Sequence, residues 1–136
     1  ILSERPALVE RLFLTTQVNE FGAYRVKFCK NGEWKSVTVD DFFPCYPMGP
    51  PMFSSSYSNE LWVLILEKAF AKLHGGYYQL RGGSISEALL DLTGCPTICY
   101  DLDDHFVVHF IQDGQFWDLL RYFHDEGYLV SFSTEN

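Results

Sequence analysis

Between Asn59 and Gly76 the chain carries apolar residues at helical spacing. Trp62, Ile65, Leu66, Ala69, Phe70 and Leu73 share one broad face at 3.6 residues per turn. Glu60, Glu67, Lys68 and Lys72 occupy the opposite side, with Leu64 among them. Ser58 or Asn59 can cap the start, Glu60 suits the positive end of the helix dipole, and Lys72 and His74 suit the negative end. Gly75-Gly76 can take the left-handed conformation that stops a helix. An apolar arc this wide is too broad for a surface helix and predicts the central helix of a lobe.

Elsewhere the period changes. Tyr24 to Cys29 alternates, with Tyr24, Val26 and Phe28 on one face and Arg25 and Lys27 on the other. Asn31-Gly32 supplies a two-residue turn, and Trp34 to Val39 is the returning strand of a β-hairpin. Glu4 to Phe13 has helical character, with Leu8, Val9 and Leu12 on one side and Pro6 in the first turn. Cys45 to Pro51, crowded with prolines, reads as an ordered loop. Ser84 or Ser86 caps a short helix reaching Leu92, closed by Thr93-Gly94. Thr97 to Leu102, Phe106 to Ile111 and Tyr128 to Phe132 have strand character, and Gly114 or Gln115 to Asp125 is helical. Helices and strands in two blocks predict an α+β fold.

Composition narrows the function classes. The 136 residues are 47% hydrophobic and 17% aromatic, enough to build a core and exclude global disorder. A net charge of -8 without a cluster of lysines and arginines disfavours a nucleic-acid partner. The longest apolar run, Leu61 to Leu66, is too short to span a bilayer, so no membrane contact is expected from this segment. Four cysteines without scaffold spacing suit free thiols in a reducing, cytoplasmic setting.

Cys95, Cys99, His105 and His109 match a structural zinc site in ligand type. Their intervening loop is much shorter than that of the usual finger, and structural roles fit these residues better. Asp40 and Asp41, adjacent on a strand, point to opposite faces and form no acid–base pair.

Glu60-Leu-Trp62, Leu66-Glu-Lys-Ala-Phe-Ala-Lys-Leu-His-Gly75 and Tyr77-Tyr-Gln-Leu-Arg-Gly-Gly83 together resemble the core of the calpain-type cysteine protease domain. Gly32-Glu-Trp34, Val37-Thr-Val-Asp-Asp41 and Pro44 upstream, and Ala88-Leu-Leu-Asp-Leu-Thr-Gly94 downstream, extend the resemblance in order and spacing. Cys95 replaces the second glycine of the family's Thr-Gly-Gly turn. The wording is nearest to large non-classical calpains, such as the plant membrane-anchored and small-optic-lobes types.

The resemblance implies a papain-like fold, incomplete here. Residues 1–81 would form the C-terminal part of the first lobe, helical with a β-hairpin. Residues 82–136 would begin a strand-rich second lobe. It places the nucleophilic cysteine about six residues before Ile1, at a helix N-terminus that stabilises a thiolate, and the histidine and asparagine after the last strand here. No cysteine of this chain is then the nucleophile, and the chain alone is expected to be inert.

Glu60 corresponds to a calcium ligand of the first lobe, although a helix N-terminus alone would justify a glutamate. Gly83 corresponds to the glycine whose backbone pairs with substrate near the scissile bond, and Gly82 to a hinge; a plain turn is the other reading of the pair. Calcium is the implied cofactor. The implied partners are protein or peptide substrates and the remaining protease-core segments or partner subunits. A second function class also fits, a calpain-like module without catalysis that serves as a structural or interaction domain.

Overall fold

The computed structural model describes residues 2–54 and 60–134. Its centre is an antiparallel hairpin of β1 (Ala23–Lys30) and β2 (Glu33–Asp40), with Tyr24 opposite Val39, Val26 opposite Val37 and Cys29 opposite Trp34. Asn31 and Gly32 both take positive φ, 54° and 77°, the backbone that joins twisted strands through two residues. The expected hairpin is present. Cys29 lies buried inside β1.

Helix α2 (Trp62–Leu73) lies across one face of the hairpin. Ile65 and Ala69 join Leu12, Tyr24, Val26, Phe28, Val37 and Val39 in one core, flanked by Leu66, Phe70 and Leu73. Phe70 meets Phe28 edge-on, with ring centroids 5.5 Å apart. Leu12, Val26 and Phe28 are fully enclosed, and burial of each side chain is worth about 1.5–3 kcal/mol. The expected Ser58 or Asn59 cap lies outside the described residues. Gly75 and Gly76 take positive φ past the helix end, at 96° and 141°, as the glycine pair predicts.

The N-terminal helix is shorter than its pattern suggests. A 3-10 turn (Leu2–Glu4) leads into α1 (Pro6–Glu10), and the chain then turns onto the free edge of β1. The Lys27 amide donates to the Leu12 carbonyl at 2.8 Å, and the Leu14 amide donates to the Arg25 carbonyl at 2.9 Å. Pairing with the strand captures backbone groups that a longer helix would use. On the other side of the hairpin, Lys72 Nζ donates to the Thr38 carbonyl at 2.8 Å, and Lys68 reaches the Asp40 carboxylate and the Phe42 carbonyl.

Residues 42–54 are fastened to α2. Glu67 accepts from the Ser54 amide at 3.1 Å and from its hydroxyl at 2.6 Å, and Phe53 stacks on Tyr77 with centroids 4.5 Å apart. Tyr77 begins a 3-10 helix (Tyr77–Arg81) that precedes Gly82-Gly83. Helix α3 (Ile85–Thr93) starts after Ser84 and ends at Gly94, whose φ of 71° is left-handed. It packs on β1, and a Cβ at Gly94 would lie 2.8 Å from Trp34 Cζ2.

The C-terminal third departs from expectation. Phe106 to Ile111 falls within α4 (His105–Gln112), not a strand. Asp104 accepts from the Phe106 amide at 2.8 Å, and this cap favours a helix for a short apolar run whose period is ambiguous. Thr97 to Leu102 and Tyr128 to Phe132 contain no strand. Extended segments become strands only against an edge that takes their hydrogen bonds, and both edges of the hairpin are engaged. The described part of 82–136 is therefore helical rather than strand-rich. Helix α5 (Gln115–Asp125) occupies the expected span and pairs with α4 through Phe110 and Phe116. The observed architecture is α+β: a two-stranded antiparallel sheet and five α-helices among the described residues. No described helix is long and apolar enough to cross a membrane.

Candidate functional site

Glu60 stands just before α2, exposed, with its Oε2 accepting from Trp62 Nε1 at 2.9 Å. The indole thereby orients the carboxylate two residues upstream. The pair lies on an open groove of about 520 Å³ between α1 and the start of α2, lined also by Val9, Phe13, Tyr24 and Ile65. Tyr24 is 4% exposed, and its hydroxyl has no hydrogen-bond partner although it is buried. A buried hydroxyl left without a partner costs on the order of 1–3 kcal/mol.

A hard cation such as calcium takes six to eight oxygens. No group of three or more His, Cys, Asp or Glu side chains suited to a metal occurs among the described residues. Glu60 alone, oriented by Trp62, makes no calcium site among the described residues.

Gly82 and Gly83 lie outside this groove. Gly82 is extended, with φ -162° and ψ 162°, and neither glycine takes a positive φ. A Cβ on either would meet no atom within 4 Å. Nothing inside the described fold therefore requires glycine at these two positions, in contrast to Gly94. What the pair provides is a bare strip of backbone open to approach from outside.

A charged cluster not anticipated from the sequence joins three elements. Asp91 of α3 is 4% exposed, and its Oδ2 lies 2.9 Å from Lys30 Nζ at the end of β1 and 3.2 Å from His74 Nε2 at the end of α2. His74 Nδ1 donates to the Phe70 carbonyl at 2.9 Å, which leaves Nε2 to accept from Lys30 Nζ at 3.0 Å. Lys30 thus bridges carboxylate and imidazole, and Asp91 ties α3 to the hairpin and to α2. The sequence signal is a carboxylate in the apolar run Leu89-Leu-Asp-Leu92. Arg11 adds a further tie by donating to the Thr93 carbonyl while its guanidinium lies 5.3 Å from the Trp34 ring centroid.

The thiols form no catalytic arrangement. Cys45 Sγ donates to the Phe43 carbonyl and Cys95 Sγ to the Thr93 carbonyl, and among the described residues no cysteine bonds a histidine. Cys95 and Cys99 do not gather with His105 and His109 into a four-ligand site.

Comparison with known proteins is consistent with this geometry. The profile described as calpain family cysteine protease matches residues 1–136. A calpain-type cysteine protease, ADL1, of Oryza sativa subsp. japonica is 44% identical over 125 residues, covering 91% of this chain and 6% of the relative. The calpain-type cysteine protease DEK1 of Zea mays is 43% identical over 131 residues, covering 96% of this chain and 6% of the relative. Calpain-B of Drosophila melanogaster is 42% identical over 88 residues, covering 65% of this chain and 10% of the relative. The chain thus spans a small fraction of the curated relatives it matches. With the profile matched end to end, the chain belongs to the calpain family of cysteine proteases.

Proposed function

We propose that this chain is the middle of the catalytic core of a calcium-regulated cysteine endopeptidase. Residues 1–81 belong to the first lobe and 82–136 to the second. Docking of α3 on β1 through Asp91 supports a fixed contact between the lobes. The observation that carries the reading is the Gly82-Gly83 strip. Its two glycines have no internal reason to be glycine, and they follow directly on an element tied to the first lobe. An extended substrate would lie against the Gly83 backbone and be held by main-chain hydrogen bonds. Gly82 supplies the hinge.

The nucleophilic cysteine and the histidine–asparagine pair come from outside residues 1–136. The thiolate attacks the peptide carbonyl, the histidine gives its proton to the leaving amine, and water hydrolyses the acyl-enzyme. Residues 1–136 alone are inactive. The groove beside Glu60, lined by Val9, Phe13, Tyr24 and Ile65, suits a further core segment. Glu60 would contribute one carboxylate to a calcium set, and the ion, when bound, would supply positive charge at the start of α2.

Labelling of the intact parent protein with a cysteine-directed epoxide tests the protease reading. Stoichiometric, calcium-stimulated modification of a cysteine outside this chain is expected. A protein that binds calcium but resists the epoxide would instead be a catalytically dead structural or interaction module. Glu60→Gln in the parent is expected to raise the calcium concentration needed for activation; unchanged calcium dependence would remove Glu60 from the ligand set.

A further inference from the structure

His105 and His109 lie one helical turn apart on α4, both exposed, with their Nε2 atoms 3.3 Å from each other. In a tetrahedral zinc site with Zn–N bonds of about 2.0–2.1 Å, two ligand nitrogens lie about 3.3–3.4 Å apart. The separation of the two nitrogens therefore matches the edge of such a tetrahedron. The alternative is a direct N–H···N hydrogen bond, and 3.3 Å is long for one, since N–H donors settle about 2.9–3.0 Å from their acceptors.

The ring planes cross at 77° with centroids 4.5 Å apart, so the rings are not stacked on each other. The backbone beneath is regular: Val108 donates to the Asp104 carbonyl at 2.8 Å and Asp113 to the His109 carbonyl at 2.9 Å. Helical spacing, rather than a flexible loop, sets the separation of the two imidazoles.

Acidic residues flank the pair in sequence. Asp101, Asp103 and Asp104 precede the helix within one turn, and Asp113 follows one turn after His109. These carboxylates offset the positive helix N-terminus at which His105 sits.

We propose that His105 and His109 form a two-imidazole chelate for a divalent transition metal of the zinc, nickel and copper class, whose remaining positions are filled by water or by a ligand from a partner. Imidazole selects these ions, whereas calcium requires oxygen ligands; the site is therefore chemically separate from that proposed at Glu60. It also differs from a four-ligand finger, because Cys95 and Cys99 take no part.

Hydrogen-exchange mass spectrometry on the full protein, with and without zinc chloride, reads the site directly. Metal bound across one turn opposes opening of that turn. At free zinc about a hundredfold above half-saturation, exchange of the amides of residues 109–113 slows by up to about 100-fold. His105→Ala and His109→Ala each abolish the effect. Alanine is the better helix former, so loss of protection in these variants reports a lost ligand and not a lost helix. The double variant Cys95→Ser/Cys99→Ser retains full protection. The proposal is overturned if zinc gives no protection in the parent, if protection survives either histidine substitution, or if it disappears with the two thiols.

Discussion

Removal of the Asp91 carboxylate leaves the Lys30 ammonium facing an apolar helix with no counter-charge. Breaking a deeply buried ion pair costs about 3–5 kcal/mol, because the surviving charge stays desolvated. Here the Asp91 side chain is 5% exposed, but Lys30 is 31% and His74 24% exposed, so water recovers part of the loss. Asp91→Ala is expected to cost about 2 kcal/mol, roughly a 30-fold fall in the folded-to-unfolded ratio. Denaturant unfolding followed by tryptophan fluorescence measures it, since Trp34 lies against the turn that ends α3. The informative quantity is the coupling in a double-mutant cycle with Lys30→Met. A value of about 1–2 kcal/mol is expected, because each single change strands the other partner while the double change strands neither. Coupling below about 0.5 kcal/mol would refute the account and reduce Asp91 to a packing residue. A second consequence concerns catalysis. If α3 holds the two lobes together, Asp91→Ala raises KM for peptide substrates in the parent enzyme while epoxide labelling of the nucleophile persists.

Gly94→Ala combines a left-handed backbone with a Cβ only 2.8 Å from Trp34 Cζ2. Strain of about 1–2 kcal/mol plus overpacking is expected to destabilise the chain by about 2–3 kcal/mol, and less in a Trp34→Phe background. Thermal denaturation of the two backgrounds checks this, and an equal cost in both would rule out the clash. Tyr77 gives a pH signature. Burial first, and then the negative charges of Glu67 and Asp40, raise its phenol above the ordinary value of 10.0. The folded state therefore holds this proton more tightly than the unfolded chain. The stability it confers is complete below pH 10.0 and is lost as pH rises through the raised value. Tyr77→Phe should flatten the alkaline limb of the stability–pH curve; superimposable limbs would contradict the assignment.

Local signals in the sequence account for much of the fold. Asn31-Gly32 specified the hairpin turn through two positive φ values, and the glycines after His74 and Thr93 marked two helix ends. Helix α5 was equally readable, because Phe116, Leu119, Leu120 and Phe123 repeat over two turns. The failures share a different cause. Phe106 to Ile111 is too short and too uniformly apolar for its period to choose between strand and helix, and the Asp104 cap decided it. Thr97 to Leu102 and Tyr128 to Phe132 looked extended, but strand formation depends on a partner edge that composition cannot supply. The truncation of α1 is likewise tertiary, since β1 takes up the Leu12 carbonyl and the Leu14 amide. In the site, family motifs singled out Glu60, Gly82 and Gly83. The fold then added what motifs do not encode: the Trp62 indole on Glu60, and the absence of any internal crowding at Gly82 and Gly83. The Lys30–His74–Asp91 cluster was invisible because its members are separated by 44 and 61 positions along the chain.

The hairpin has a bearing on how this protein meets other chains. One flank of β1 carries β2, and the other is occupied by the stretch around Leu12 and Leu14. The outer flank of β2 is met by Lys68 and Lys72, whose ammonium groups take up the Thr38 and Phe42 carbonyls. Lysine at the margin of such a ribbon repels a second copy. Self-association through sheet extension is thereby suppressed.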